Sequence, residues 1–387
     1  MRWSFDGVED EKVDVIVIGG GITGMMTAWN LAEAGVEVVL LEAGELGAQA
    51  SGANAGSLHL QIQYPEFASF GEDWARAYGP CLGFLKESLT LWQGLSDRTG
   101  EDLSVKTGGG IVVAQTEAEM ALIASKARVE AEHGVETHVL DRAELFKIAP
   151  YLSDKAIGGG FCPMEGKANT LRVMPAIQVC AEKAGVCILR NTAALGIAAE
   201  NGGYTVTTDK GTFHAPKVVN AAGASAGKVA GMLGLTINID GFPLQVTVTE
   251  PVAPLIPHLI YSAAGKLSLK QAPNGGCIIG GGWPAAKRAD GTLATDPTSL
   301  TGNMAMAAGV VPQVGRMQAL RSWTAWVNGT PDWRPILGET PSAKGFYMAL
   351  FPWVGYSGAP MTAKVTAELV LDQRATASLR GVSVLAD

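Results

Sequence analysis

Between Val13 and Gly56 the chain reads VDVIVIGGGITGMMTAWNLAEAGVEVVLLEAGELGAQASGANAG, and this stretch constrains the fold more than any other. Val15 to Ile18 is a short run of β-branched apolar residues, which suits a strand buried on both faces of a parallel sheet. Gly19, Gly21 and Gly24 follow in GxGxxG spacing. The first suits a tight turn, the second lets backbone approach a pyrophosphate, and the third lets a helix pack closely on the strand. A helix from Ile22 to about Ala34, with Ile22 and Thr23 in its first turn, then aims its N–H groups and partial positive charge at the phosphates. A second strand, Val36 to Leu41, ends at Glu42 and Ala43. The Glu42 carboxylate is placed to accept hydrogen bonds from a ribose diol and to repel a 2′-phosphate.

Glycine spacing alone proves little here. With 49 glycines in 387 residues, about one in eight, chance would supply roughly one GxGxxG in a chain of this length. The order of strand, glycine turn, helix, second strand and terminal acid is what points to a dinucleotide site.

The length suggests two or three domains, and a composition 47% hydrophobic and 17% charged requires extensive burial. A formal charge of −8 argues against nucleic acid or an anionic membrane as the main partner. The opening MRWSFDGVEDEK lacks the cationic and apolar regions of a secretory signal, and no apolar run reaches the length of a membrane span. The expected compartment is the cytoplasm. Cys81, Cys162, Cys180, Cys187 and Cys277 form no CxxC pair and no cluster with His, so they read as buried thiols and no metal site is expected.

Along the chain, 66–99 has helical periodicity and 106–115 reads as a glycine turn and a strand. Helices are expected over 117–133, 142–149 and 171–184, with a glycine-rich loop over 158–169. A strand at 186–190, a hairpin over 204–212 turning at Asp209, Lys210 and Gly211, and a strand at 217–220 follow. Short strands at 245–249, 266–270 and 277–280 suggest an antiparallel sheet, before α/β patterning returns over 332–338, 346–350 and a final helix at 361–371. The fold class expected is α/β with mixed α+β character: a Rossmann-like nucleotide domain interrupted by a mostly antiparallel substrate domain. The division expected is 13–80, 151–240 and 326–387 for the first, and 81–150 and 241–325 for the second.

Four segments together resemble the D-amino-acid oxidase superfamily of FAD enzymes, the group containing glycine and sarcosine oxidases. They are the opening block with its extension Ala50-Ser51-Gly52-Ala53-Asn54-Ala55-Gly56, then Val218-Val219-Asn220-Ala221-Ala222-Gly223, then Lys270-Gln271 through Gly275 to Gly281, and last Thr330-Pro331-Asp332 to Gly338 with Gly355-Tyr356-Ser357-Gly358-Ala359-Pro360. The resemblance spans nearly the whole chain in order, and it implies FAD rather than NAD. It implies that Ser51, Asn54, Ala55 and Gly56 line the pyrophosphate and isoalloxazine, that Ala222 and Gly223 pass beside the dinucleotide, and that Ala194 lies near the adenine. It also implies that the loop with Gly355, Tyr356, Ser357 and Gly358 lies against the flavin pyrimidine. No Cys or His falls within 351–360, so the FAD is expected to be non-covalent.

One departure is informative. Many amino-acid oxidases of this superfamily carry an Arg three residues before the Thr of TPD, as a bidentate clamp on the substrate carboxylate. Here that residue is Val327. The run Arg321-Ser322-Trp323-Thr324-Ala325-Trp326 and the run Gly280-Gly281-Gly282-Trp283-Pro284 look more like β subunits of heteromeric sarcosine oxidases and of bacterial opine or hydroxyproline dehydrogenases. That likeness implies partner subunits with further redox centres.

Flavin oxidation of an amine needs little from protein side chains beyond position, a dry cavity and a nearby charge. His59 is the titratable candidate best placed to handle the amine proton. Arg334 and Lys270 are candidates to anchor a carboxylate or tune the flavin, and Tyr261 and Tyr356 to donate hydrogen bonds, while each also reads as an ordinary surface charge or packing residue. The function expected is oxidation of an amino acid or secondary amine, such as an opine, to an imine that hydrolyses. The alternatives are a stand-alone oxidase that reduces O2 and a non-catalytic electron-relay subunit.

Overall fold

Val15–Ile18 forms a strand buried along its whole length, paired in parallel with Val38–Leu41 on one side and Lys217–Asn220 on the other. The computed structural model describes residues 11–200 and 202–382, so the opening segment up to Asp10, which bears on a targeting signal, lies outside the described residues. Cys187–Leu189 extends the sheet beyond Val38–Leu41, and Ala343–Leu350 with its antiparallel partner Ile336–Thr340 completes six strands. Both faces are covered, which is why the strand needs no polar alternation. Val15 and Val17 join a core with the helices Ile22–Glu33, Thr170–Lys183 and Gly355–Val370. Ile16 and Ile18 face the other way, toward Ile197, Val206 and Phe213 of the sheet containing the hairpin Gly203–Thr208 and Gly211–Ala215.

The second large unit is an eight-stranded sheet. Its two longest strands, Ala319–Gly329 at the edge and Asp240–Pro251 beside it, pair antiparallel, and it continues through Gly276–Gly280, Ser268–Gln271, Leu259–Ser262, Gly110–Ala114, Gly158–Cys162 and His138–Asp141. All pairings are antiparallel except Leu259–Ser262 with Gly110–Ala114. The helix Glu117–Glu132 is started by a capping box in which Thr116 and Glu119 satisfy each other's backbone donors.

Two expectations are corrected. The glycine-rich segment 158–169 is not a loop: Gly158–Cys162 is a buried strand and Gly166–Lys167 a second, shorter one. Its glycines answer close packing, because a Cβ on Gly159 would lie 2.5 Å from the Val112 carbonyl oxygen and one on Gly160 would lie 2.8 Å from Ile123 Cγ2. The final helix begins at Gly355 rather than 361 and carries Pro360 inside it. Proline removes one internal hydrogen bond, to the carbonyl four residues back. That carbonyl, of Tyr356, instead accepts from Trp92 Nε1 at 3.2 Å. The strands Leu259–Ser262 and Ala319–Gly329 and the helix Pro297–Val310 were not expected. The helix Pro80–Gln93 packs into the core shared with Gly355–Val370. No helix among the described residues is long and apolar enough to cross a membrane.

Candidate active site

A groove of about 930 Å³ runs along the carboxyl ends of the six-stranded sheet, in the size range of a cofactor site. Gly19, Gly21, Ile22 and Thr23 border it at the glycine turn, Glu42 and Ala43 at the end of the second strand, and Ala194 at one extremity. Ser51, Asn54, Ala222 and Gly223 border its middle, and Gly355 and Tyr356 its far end. Glu42 Oε2 accepts from the Gly20 N–H at 2.7 Å and Oε1 from the Gly44 N–H at 2.8 Å, so one carboxylate ties together the turns on either side of it. Ser51 Oγ accepts from the Ile22 N–H at 2.9 Å at the helix start. Gly24 lies behind the turn, where a Cβ would meet the Gly19 carbonyl oxygen at 2.0 Å. Gly56, with φ of 82°, likewise holds the backbone against Ala168 instead of facing the groove.

Two residues bordering this groove carry a buried polar atom with no partner in the protein: Tyr356 at Oη and Asn328 at Oδ1. Buried polar groups are nearly always satisfied, so orphans here fit a ligand that brings its own polar groups. The chain therefore offers a dinucleotide a glycine turn, a helix N-terminus, an acid at the ribose end and unpartnered polar atoms at the other.

A second cavity of about 430 Å³ adjoins the first, and Ala50, Asn54, Val327 and Trp353 border both. Phe242, Trp333 and Trp353 form one wall, with Trp333 and Trp353 edge to face at 5.3 Å. Trp333 and Trp353 have φ of 60° and 54°, a left-handed backbone that bulky residues rarely adopt and that clusters at functional sites. The TPD turn explains the first: Thr330 Oγ1 donates to the Arg334 carbonyl at 2.9 Å and Asp332 Oδ1 accepts from the Arg334 N–H at 3.1 Å, closing a loop that presents Trp333. Arg334 itself is ion-paired with Asp332 at 2.6 Å, is about two-fifths exposed and borders neither cavity. The structure does not bring it to the site.

His59 and Tyr261 do meet there. Both border the cavity, and His59 Nδ1 lies 2.8 Å from Tyr261 Oη. Ser357 Oγ accepts from the His59 backbone N–H at 2.7 Å, so Ser357 holds the backbone segment that carries His59 and does not itself line a cavity. Gly358 is packed on Phe351. Burial, with a smaller contribution from the Lys270 ammonium, holds the His59 imidazole down at about 3 from 6.5, so it is neutral at physiological pH. Lys270 is fully buried, donates to Ser57 Oγ at 2.7 Å, and is pulled well below the usual lysine range by burial and then by Lys167. Ala55 borders the substrate-side cavity.

Sequence reasoning missed several residues. Glu66 borders the cavity with a buried, unpartnered Oε2, and burial pushes its carboxyl group up. Glu165, Gln61, Lys126 and Glu130 form a buried polar network behind His59. Trp333 stood inside the Thr330 to Gly338 segment already singled out and Trp353 two residues before the Gly355 to Pro360 segment, and their bulk beside glycine and proline was the available signal.

A dinucleotide groove opening onto an aromatic-walled cavity is the arrangement of an oxidoreductase that holds its redox cofactor against a small substrate. The chain belongs to the DAO family of FAD dependent oxidoreductases, whose model matches residues 14–369, and it uses FAD as that family does. It is 26% identical over 348 residues to one of the subunits of opine oxidase from Rhizobium meliloti, covering 87% of this chain and 88% of that one. It is 29% identical over 371 residues to the beta subunit of sarcosine oxidase from Rhizobium meliloti (strain 1021), covering 92% and 84%, and 27% identical over 371 residues to glycine oxidase of Geobacillus kaustophilus (strain HTA426), covering 93% of each. Among solved structures, L-proline dehydrogenase from P. horikoshii superposes with a TM-score of 0.85 at 25% identity, covering 96% of each chain.

Proposed function

We propose that this enzyme oxidises the C–N bond of an amino acid or secondary amine, of the opine, D-amino-acid, hydroxyproline or sarcosine class, to an imine that water hydrolyses. The observation that carries this reading is the junction of groove and cavity at Asn54, Val327 and Trp353, with His59 opening onto the substrate side. FAD, when bound, supplies the acceptor for the hydride of the carbon beside the nitrogen. Phe242, Trp333 and Val327 exclude water from the reacting carbon. Neutral His59 offers an unprotonated ring nitrogen as a hydrogen-bond acceptor to an incoming ammonium group, and the unpartnered Glu66 oxygen offers a contact to the cationic end of the substrate. Val327 cannot clamp a carboxylate, so any carboxylate is held by other groups.

The opine oxidase and sarcosine oxidase relatives are each named as one subunit of an enzyme, which supports a role as the catalytic subunit of a heteromeric dehydrogenase. The glycine oxidase relatives favour a second reading, an oxidase that works alone. Anaerobic addition of an amine panel to the purified, yellow protein tests the first point. Bleaching by an amine or amino acid supports it, and a bound flavin that none of them reduces would leave only an electron-relay role. Stoichiometric peroxide from the isolated chain would select the stand-alone oxidase, and turnover only with dyes or co-purified subunits the heteromeric enzyme.

A further inference from the structure

Behind His59 the hydrogen bonds run in one direction. Glu165 is fully buried and surrounded by donors: the Leu60 N–H at 2.7 Å and Gln61 N–H at 3.0 Å on Oε1, and Gln61 Nε2 at 2.9 Å on Oε2. The Gln61 amide cannot be turned the other way, because its oxygen accepts from Lys126 Nζ at 3.1 Å and an ammonium only donates. Lys126 in turn is paired with Glu130 at 2.6 Å, and Glu130 accepts from the Ile62 N–H at 2.8 Å and Thr137 Oγ1 at 2.6 Å. Glu165 is thus an acceptor to every protein neighbour. The Tyr261 ring flanks the same carboxylate, since Glu165 Oε2 and Tyr261 Cε2 border one point beside Gly110, and the Glu165 charge draws the single Tyr261 hydroxyl proton toward itself. Tyr261 can then only accept from His59 Nδ1, 2.8 Å away. Gly110 is what makes room, since a Cβ there would fall 1.8 Å from Glu165 Oε2 and 3.1 Å from Tyr261 Cε2.

We propose that Glu165 is the positioning residue and terminal proton acceptor of a buried relay, Glu165–Tyr261–His59, that fixes the His59 proton on Nδ1 and leaves Nε2 free to deprotonate the substrate amine. The proposal rests on the amine-oxidising reading above. In the step, a substrate N–H bond breaks and an N–H bond forms at His59 Nε2. The His59 Nδ1 proton moves to Tyr261 Oη, and the Tyr261 proton moves to Glu165. The ammonium becomes an amine, the carboxylate becomes a carboxylic acid, and nothing is oxidised or reduced. No charge remains on the imidazole, which suits a ring facing the Lys270 ammonium. Burial raises the Glu165 carboxyl, so it takes a proton more readily than a surface carboxylate. The other titratable groups facing the relay are Lys126 and Glu130 from the helix Glu117–Glu132 and Cys162 from the strand Gly158–Cys162.

The test uses FAD-loaded protein with ¹⁵N-labelled histidine, the His59 signal assigned by its loss in His59→Gln. The relay predicts the Nδ1–H tautomer in the wild type. In Glu165→Gln the amide donates to Tyr261 and the order of donors reverses, so His59 shifts to Nε2–H. Anaerobic flavin reduction by a reducing amine is then expected to slow about 100-fold or more near neutral pH, the scale of general-base catalysis, with little change in substrate affinity. The loss is expected to shrink as pH rises toward the amine's own pKa, because the amine then arrives neutral. Tyr261→Phe, which leaves Glu165 and its backbone donors in place, gives the same pH-dependent loss and covers the case in which Glu165→Gln does not fold. An Nε2–H tautomer in the wild type, or a loss independent of pH in Tyr261→Phe, overturns the relay. The tautomer needs no substrate, so a protein that no amine reduces refutes the proposed function while the spectrum still judges the relay.

Discussion

Replacing Glu42 is expected to separate the fold from its cofactor. Its carboxylate accepts two backbone N–H groups, from Gly20 at 2.7 Å and Gly44 at 2.8 Å, and borders the groove. A hydrogen bond to a charged group contributes about 1.5–3 kcal/mol. Glu42→Gln keeps one acceptor but turns an NH2 toward the other N–H, so roughly one such bond is lost. If that loss falls on the assembled turn, FAD binds about 10- to 150-fold more weakly, at about 1.4 kcal/mol per tenfold. Glu42→Lys loses both bonds and puts a positive charge beside the positive end of the helix Ile22–Glu33, so the weakening is expected to reach about 100-fold or more. The assay is the flavin-to-protein ratio after purification, followed by titration of stripped protein with FAD by fluorescence quenching. Full flavin content and wild-type affinity in Glu42→Lys would refute the assignment of this groove.

Three further outcomes follow from packing and charge. Gly24→Ala drives a Cβ to within 2.0 Å of the Gly19 carbonyl oxygen, and an overpacking cost of about 1–3 kcal/mol should appear as a lower melting temperature with reduced flavin content. Lys126→Met leaves Glu130 buried without its cation and should cost about 3–5 kcal/mol by urea unfolding; Lys126→Met with Glu130→Gln should recover part of it, and a single-mutant loss near zero would contradict the pairing. The unfolded His59 protonates near 6.5 but the folded one only near 3, so between those pH values the unfolded state binds more protons. Stability should therefore fall as pH drops through that window, His59 contributing up to about 1.4 kcal/mol per pH unit, and His59→Gln should remove that part of the slope in urea titrations.

The nucleotide half was legible because its signals are local. Val15–Ile18, the glycine turn and Glu42 lie within one βαβ unit, and each answers a backbone or packing demand that its neighbours in sequence impose. The strand Gly158–Cys162 was not legible, because its glycines serve close approach to Val112 and Ile123, distant in sequence. The start of the last helix was hidden for a related reason: the carbonyl that Pro360 frees is satisfied by Trp92, far along the chain. In the site, His59 and Tyr261 each stand out as candidates, but their pairing spans some 200 residues and no spacing rule reports it. Arg334 looks available in the sequence because its charge is visible, while its partner Asp332, two residues away, reads only as part of a motif. Glu165 sits in a segment that reads as loop, where a single carboxylate carries no signal.

The most direct test of the central claim is rapid anaerobic mixing of the FAD-loaded protein with a reducing amine or amino acid, in ordinary form and deuterated at the carbon beside nitrogen. Loss of the flavin absorbance band is expected, slowed severalfold by the deuterium, with an imine or its oxo-acid hydrolysis product released in equal amount. A flavin that no amine in the panel reduces, or reduction without consumption of the C–N bond, would contradict it.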